Sequence, residues 1–290
     1  MNRPRLILLV GIPGSGKTSY ALNYIKQSSG IHLSSDLIRK ELYGDESIQG
    51  DPNEVFSLMQ KRAIEALNDG VNVIYDSTGM TRKDRASIIN ICPKFTRIEC
   101  HIIWAPIEEC IKRDASRDRT VGKAVIDKML KRFQAVYYDE GVDEIKVILP
   151  ENFDVGKYRL KCMNDMMIPH DNPHHTLDIY THCLEANKYL TFDVKNKDDD
   201  LDKASFFHDI GKPYVKAFID SKGNPCEQAH YYQHQCLGAY MSYGMGCSVK
   251  TAWIISTHMD VYLNTKYYRN LPPFLKKDID LLHEADKAAH

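Results

Sequence analysis

Apolar and polar positions are spaced in two different ways along this chain. From Arg5 to Val10 the residues RLILLV put apolar side chains at five successive positions, which predicts a strand covered on both faces. A glycine-rich stretch follows, and from Lys17 to Gln27 the apolar positions return at helical spacing. Further strands are predicted at IHLSS from Ile31, VNVIYD from Val71, RIECHIIWA from Arg97 and EIKVILP from Glu144. Amphipathic segments such as Glu54 to Asn68 and Ile107 to Arg117 separate them. Five strands alternating with helices predict an α/β domain over residues 1–152, a five-stranded parallel sheet with helices on both faces. The alternation stops at Pro150. From about Lys157 the spacing is helical, with breaks at IPHDNP, GKP and LPP, which predicts an all-α second domain over residues 158–290. The charged stretch KNKDDDLDK reads as a solvated turn.

Charge narrows the function classes. The formal net charge is −1, which excludes a globally basic nucleic-acid binder, so a polyanion must be met by a local patch. Lys112, Arg113, Arg117, Arg119, Lys123, Lys128, Lys131 and Arg132 form one. The eight cysteines, Cys92, Cys110, Cys183 and Cys236 among them, include no C-x-x-C pair, which argues for reduced buried thiols over a zinc ribbon. No apolar run reaches the ~18 residues of a membrane span, and LILLV lacks a signal-peptide cleavage site. A soluble cytoplasmic protein with no membrane partner is expected.

The stretch GIPGSGKT fits G-x-x-x-x-G-K-[ST] between a strand and a helix. Gly11, Gly14, Ser15 and Gly16 bring backbone N–H groups to phosphate oxygens, Lys17 reaches the terminal phosphates, and Thr18 can ligate Mg2+. ATP with Mg2+ is the expected cofactor. In HLSSDLIRKELYG, Asp36 lies just past the second strand with Arg39 one helical turn on. The carboxylate can take a proton from an attacking hydroxyl and the arginine can hold an acceptor phosphate, or Asp36 is only a helix cap. Asp76, Ser77 and Thr78 end the third strand and can orient magnesium or the acceptor, while Arg82 and Arg85 read as surface charges. Arg113 and Arg117 share one helix face, beside a segment that looks like a lid over the phosphates; a plain solvated basic face is the alternative.

Across residues 5–150 these elements resemble the kinase domain of the phage-type polynucleotide 5′-kinases. The resemblance implies transfer of the ATP γ-phosphate to a 5′-hydroxyl of RNA or DNA. It gives Lys17 and Thr18 the phosphate and magnesium roles, makes Asp36 the general base, and makes Arg39 the acceptor-phosphate ligand. Arg113 and Arg117 match the family's lid arginines, and Arg117 contacts ATP. The chain departs from the family at DSTGM, where Asp-Thr-Asn is common, which weakens an acceptor role for Thr78.

Histidine is distributed unevenly: only His32 and His101 precede residue 170. His182 points inward from TLDIYTHCLEANKYL, and His208 and Asp209 are adjacent at a helix end in ASFFHDIGKP. His230, His234, Leu237 and Met241 are expected to share one helix face, and His258 follows Ile254 and Ile255 inward. Asp286 lies on the apolar face of Ile279 and Leu282 with no evident local basic partner. Imidazoles and carboxylates converging from several helices make a divalent-metal site. Residues 158–290 resemble the HD-domain metal-dependent phosphohydrolases through His182, His208, Asp209 and Asp286, with His234 and His258 resembling the extra ligands of two-metal members. That implies two divalent transition-metal ions, Mn2+, Ni2+, Co2+ or Zn2+, with Asp209 and Lys212 catalytic and Lys212 contacting the scissile phosphate. His174 and His175 read as helix-start residues; His283 and His290 are unassigned.

A 5′-hydroxyl kinase joined to an HD phosphohydrolase resembles a bifunctional end-healing enzyme acting on broken RNA or DNA. The kinase would phosphorylate the 5′-hydroxyl, the other half would clear a 2′,3′-cyclic, 3′- or 2′-phosphate, and a separate ligase would seal the strand. Two alternatives stand beside it: a nucleoside kinase fused to an HD nucleotide phosphohydrolase, and a sensor without turnover.

Overall fold

A computed structural model describes residues 3–117, 119–173, 176–193 and 198–289. His174, His175 and His290, and the first part of KNKDDDLDK, lie outside the described residues. The chain divides into two compact units, one of residues up to 129 with 136–151, the other of residues 130–135 with 152 onward. No described helix is long and apolar enough to cross a membrane.

The first unit contains β1 (Arg5–Val10), α1 (Lys17–Gln27), β2 (Ile31–Ser34), α2 (Ser35–Tyr43), α3 (Pro52–Asn68), β3 (Val73–Asp76), α4 (Arg82–Ile89), β4 (Arg97–Ile103), α5 (Ile107–Ala115), most of α6 (Lys123–Leu130) and β5 (Glu144–Ile148). The strands form one parallel sheet in the order β2-β3-β1-β4-β5. Its central strand β1 is buried from Leu6 to Val10, as its unbroken apolar run requires. Ile7 and Leu9 pack with Ile74 and Ile103 of the neighbouring strands against Ala21, Tyr20 and Tyr24 of α1. The chain runs from β1 to β2 on one side of it and from β3 to β4 on the other, so the strand order reverses beside β1, and at such a point open α/β sheets place their ligands at the carboxyl edge.

The second unit contains α7 (Val155–Asp165), α8 (Ile179–Asp193), α9 (Asp199–Phe207), α10 (Lys212–Val215), β6 (Ala217–Ile219), β7 (Pro225–His230), α11 (His234–Gly244), α12 (Val249–Thr257), α13 (Asp260–Leu263), α14 (Thr265–Arg269) and α15 (Pro273–Ala288). Phe133 belongs to this unit and packs edge-on against Tyr240 and Tyr243, with ring centroids 5.7 and 6.2 Å apart. The unit is not wholly helical: β6 and β7 pair antiparallel, and Ala217 faces His230 across the hairpin. His230 therefore lies in a strand and does not share the helix face of His234; Gln233, at φ 63°, breaks the backbone before α11 begins. The aspartates of KNKDDDLDK are also more ordered than a solvated turn. Asp198 accepts from the Leu201 N–H and starts α9, and Asp199, Asp200 and Asp202 fall in its first turn, where the helix dipole favours acids.

Arg82 and Arg85 are not free surface charges. Both Nε and Nη2 of Arg85 donate to Glu140 at 2.7 Å, and Nη1 donates to the Gly79 carbonyl at 2.8 Å in the turn after β3. Arg82 makes a second bidentate pair with Asp139. Only 1% of the Arg85 side chain and 5% of Glu140 are exposed, so the pair lies in the interior and each charge depends on the other. Removing one partner strands the other. Arg85→Met is expected to lower the chemical-denaturation stability of the first unit by about 3–5 kcal/mol; a change below 1 kcal/mol would show that the pair is not structural.

Candidate phosphate and metal sites

The glycine-rich loop leaves β1 and ends at α1. Gly14 adopts φ +80°, and a Cβ there would sit 2.2 Å from the Cys110 carbonyl, so no side chain fits. Gly16, at φ +102°, is the N-cap of α1, whose first N–H groups have no partner within the helix. The Ser15 hydroxyl is buried without a hydrogen-bond partner, as expected of a donor held for a phosphate oxygen. Lys17 donates to the Ile12 carbonyl at 2.9 Å, inside the loop. Burial lowers its pKa, opposed by Asp76 and aided by Arg117, whose charge lies close to it.

Around Lys17 stand the other residues that the sequence singles out. Asp76, at the end of β3, accepts from the Thr18 hydroxyl at 3.0 Å, so the two magnesium candidates are already paired. His32 contacts the same Asp76 oxygen at 3.1 Å through Nε2. Asp36 and Arg39 occupy the first two turns of α2, and Arg39 Nη1 donates to Asp36 Oδ1 at 2.8 Å. Asp36 is not the N-cap. That position belongs to Ser34, whose side chain accepts the Asp36 N–H. Arg119 Nη1 reaches the same Asp36 oxygen at 3.1 Å. Arg113 approaches the Gly14 carbonyl at 3.5 Å and pairs with Glu109 on its own helix.

The loop carrying Arg119 is fastened by a residue that the sequence reading passed over. Asp114, buried on α5, accepts from the Thr120 hydroxyl at 2.7 Å and from the Val121 and Gly122 N–H groups. Burial raises its pKa, but these bonds and Arg117 outweigh it and hold the carboxyl below its ordinary value. His32 was also missed, because a single polar residue within a strand carries no periodic signal.

In the second unit all six expected ligands converge. His182 Nε2 lies 2.9 Å from Asp286 Oδ1, and His208 Nε2 lies 3.3 Å from that oxygen and from Asp209 Oδ2. Asp209 Oδ1 faces His234 Nε2 at 3.2 Å, and His234 Nε2 lies 3.2 Å from His258 Nε2. Two groups of metal-ligating atoms result, His182, His208, Asp209 and Asp286 in one and Asp209, His234 and His258 in the other, each within 4.8 Å. Asp209 belongs to both, one oxygen facing each group. The partners of Asp286 that its own helix did not supply are thus His182 and His208.

Backbone carbonyls orient these rings. Nδ1 of His182 lies 2.8 Å from Ala289 O, of His208 2.8 Å from Ser205 O, of His234 2.9 Å from Tyr231 O, and of His258 2.8 Å from Ile255 O. A carbonyl only accepts, so each Nδ1 carries a proton and each ring turns its Nε2 to the centre. His208 and His258 follow the last residues of α9 and α12, where carbonyls lack intrahelical partners, and bond the carbonyl three residues back. Nε2 of His234 and Nε2 of His258 both turn to one point, 3.2 Å apart. His208 Nε2 is buried and makes no hydrogen bond of good geometry. This donor set fits a pair of divalent cations.

The charges point the same way. Burial opposes ionisation of Asp209, yet Lys212 and His208 hold its pKa well below the ordinary range; for Asp286, His182 and His208 likewise outweigh burial. Burial lowers His208, but Asp209 and the surrounding partners overcome it and raise its pKa, so that ring holds a proton where a metal cation would do the same work. His258, buried beside His234 and His208, is pushed down to about 3 and stays neutral. Lys212 Nζ lies 2.6 Å from Asp209 Oδ2.

Residues 6–136 match a protein-family model described as an AAA domain. Among solved structures, a chain of "Structure of Pnkp1/Rnl/Hen1 complex" aligns at 25% identity with TM-score 0.37, covering 42% of this chain and 43% of that one. A chain of "Structure of the Pnkp1/Rnl/Hen1 RNA repair complex" aligns at 24% identity with TM-score 0.39, covering 46% and 44%. The present chain thus spans less than half the length of each. A gluconokinase from Sinorhizobium meliloti 1021 aligns at 14% identity with TM-score 0.37, covering 52% of this chain and 86% of its own.

If the histidine cluster binds divalent cations, they stabilise the second unit by linkage, by about 2.7 kcal/mol at a hundredfold excess over Kd. Differential scanning calorimetry with Mn2+, Co2+, Ni2+ or Zn2+ should show its transition rising, and His208→Ala should abolish the rise. An unchanged transition in the parent with all four ions would contradict a metal site.

Proposed function

We propose that this protein heals the ends of broken polynucleotides, RNA foremost, with a 5′-hydroxyl kinase in the first unit and a metal-dependent phosphohydrolase of the HD type in the second. The observation that carries the polynucleotide reading is the sharing of one Asp36 oxygen by Arg39 and Arg119, at 2.8 and 3.1 Å. Two guanidinium groups beside the acceptor base suit a strand bearing phosphates; a neutral nucleoside offers them no anion.

In the kinase, Gly11, Gly14, Ser15, Gly16 and Lys17 hold the ATP phosphates, and Thr18 with Asp76 holds Mg2+, which offsets phosphate charge. Asp36 takes the proton of the 5′-hydroxyl as its oxygen bonds to the γ-phosphorus and ADP leaves. Arg39 and Arg119 hold the acceptor strand. Arg113 and Arg117 steady the charge on the phosphoryl group in flight.

In the second unit, His182, His208, Asp209 and Asp286 hold one divalent transition-metal ion and Asp209, His234 and His258 a second. Such ions supply Lewis acidity and an activated water. Lys212 donates to an oxygen of the scissile phosphate, and the carbonyls behind the imidazoles keep their Nε2 atoms aimed inward. The substrates are ends carrying a 2′,3′-cyclic, 3′- or 2′-phosphate, and joining the healed ends falls to a separate ligase.

The test uses a doubly labelled RNA oligonucleotide with a 5′-hydroxyl and a 3′-phosphate, given ATP and divalent metals. Asp209→Ala should abolish end-phosphate removal and spare 5′-phosphorylation, Lys17→Ala should do the reverse, and Asp36→Ala should slow phosphorylation about 100- to 10,000-fold. Phosphorylation of free nucleosides but not of the oligonucleotide would transfer the protein to nucleotide metabolism.

Arg117→Ala should reduce the rate of phosphoryl transfer more than ATP affinity, because its contact matures in the transition state. A loss confined to ATP binding, measured by isothermal titration against single-turnover rates, would remove Arg117 from the lid role.

A further inference from the structure

Behind the metal-ligand cluster stands a fifth buried imidazole that no sequence pattern marked. His170 is 1% exposed and lies just before the break at DNP. Its Nδ1 is 2.8 Å from the Leu177 carbonyl, so Nδ1 donates, as in the four rings of the cluster. Nε2 is then the acceptor side of the ring. It meets Lys212 Nζ at 3.3 Å, and an ammonium can only donate.

Tyr231 completes the cradle. Its hydroxyl donates to the His170 backbone carbonyl, and its ring lies 5.4 Å from the Lys212 ammonium. Its own carbonyl accepts from His234 Nδ1, so one residue anchors both a ring of the cluster and the lysine's support. The His170 ring packs edge-on against His182 at 5.4 Å, one layer outside it.

Lys212 has two competing partners, the Asp209 carboxylate at 2.6 Å and the His170 lone pair at 3.3 Å. Once cations neutralise Asp209, its pull on the ammonium weakens, and a fixed acceptor is needed to keep the lysine in place. We infer that His170 is a positioning residue of the phosphate-binding centre, holding Lys212 through Nε2 so that a remaining N–H of the ammonium points at a substrate phosphate oxygen. This rests on reading the cluster as a phosphohydrolase centre; its role lies in phosphate capture and leaves metal binding to the six ligands.

The test is a cycle of His170→Ala, Lys212→Ala, the double variant and His170→Gln, all in a Lys17→Ala background that removes phosphate binding at the glycine loop. Each metal-loaded protein is titrated calorimetrically with inorganic phosphate, assayed for 3′-phosphate removal from an oligonucleotide, and analysed for bound metal. His170→Ala should weaken phosphate binding and lower kcat/KM by at least about tenfold, the size expected of outer-shell partners. Metal content should stay at the parental level. The double variant should bind phosphate within about twofold of Lys212→Ala alone, the signature of a shared interaction. His170→Gln, whose amide oxygen can accept from Lys212, should recover most of the binding. Loss of metal in His170→Ala, a further tenfold loss in the double variant, or no phosphate binding by the parent would each overturn the inference. Phosphate binding that follows the cycle without any hydrolysis by the parent would sustain the positioning role and instead refute the phosphohydrolase reading.

Discussion

Asp209 is a carboxylate almost wholly removed from solvent, and the second unit is organised around keeping it charged. An unpaired ion in such a place costs several kcal/mol, so opposite charge and oriented dipoles must surround it. Here α8 brings His182, the end of α9 brings His208, the start of α11 brings His234, the end of α12 brings His258, and the next turn supplies Lys212. The carbonyls that orient four of these imidazoles come largely from helix ends, the places where backbone acceptors lack partners. Local helix termination and ligand geometry are therefore one arrangement.

The first unit solves the same problem by pairing charges at the carboxyl edge of the sheet. Asp76 is held by Thr18 and His32, Asp36 by Arg39 and Arg119, and Asp114 by the loop it fastens. Deeper, Glu140 holds Arg85, which in turn fixes the turn after β3 through Gly79. These pairs lie beside the phosphate loop, and in the proposed reading that loop and the basic segment meet the ligand.

Patterns dominated by neighbours in the chain were readable from the sequence. The phosphate loop, α1 from Lys17 to Gln27 and the five parallel strands follow from apolar spacing and glycine placement, and the strand ends moved by only a residue or two. The residues gathered about Asp209 were named from their helical spacing and from family resemblance. What was not legible depends on distant partners. Arg85 looked like a surface charge because Glu140 is far along the chain; His170 and His32 stood alone in sequence and found Lys212 and Asp76 only on folding. His230 was placed on a helix face because Gln233 gives no sequence sign of its left-handed backbone.

In the proposed metal centre, backbone carbonyls fix the imidazoles so that their Nε2 atoms converge on Asp209. Crystals of metal-loaded protein, with diffraction data collected on both sides of the bound ion's absorption edge, test this directly. Two anomalous peaks per chain are expected, one about 2.0–2.2 Å from Nε2 of His182 and His208, the other at that distance from Nε2 of His234 and His258, with Asp209 giving one oxygen to each. Ions bound through Nδ1, or no peak within reach of Asp209, would contradict it.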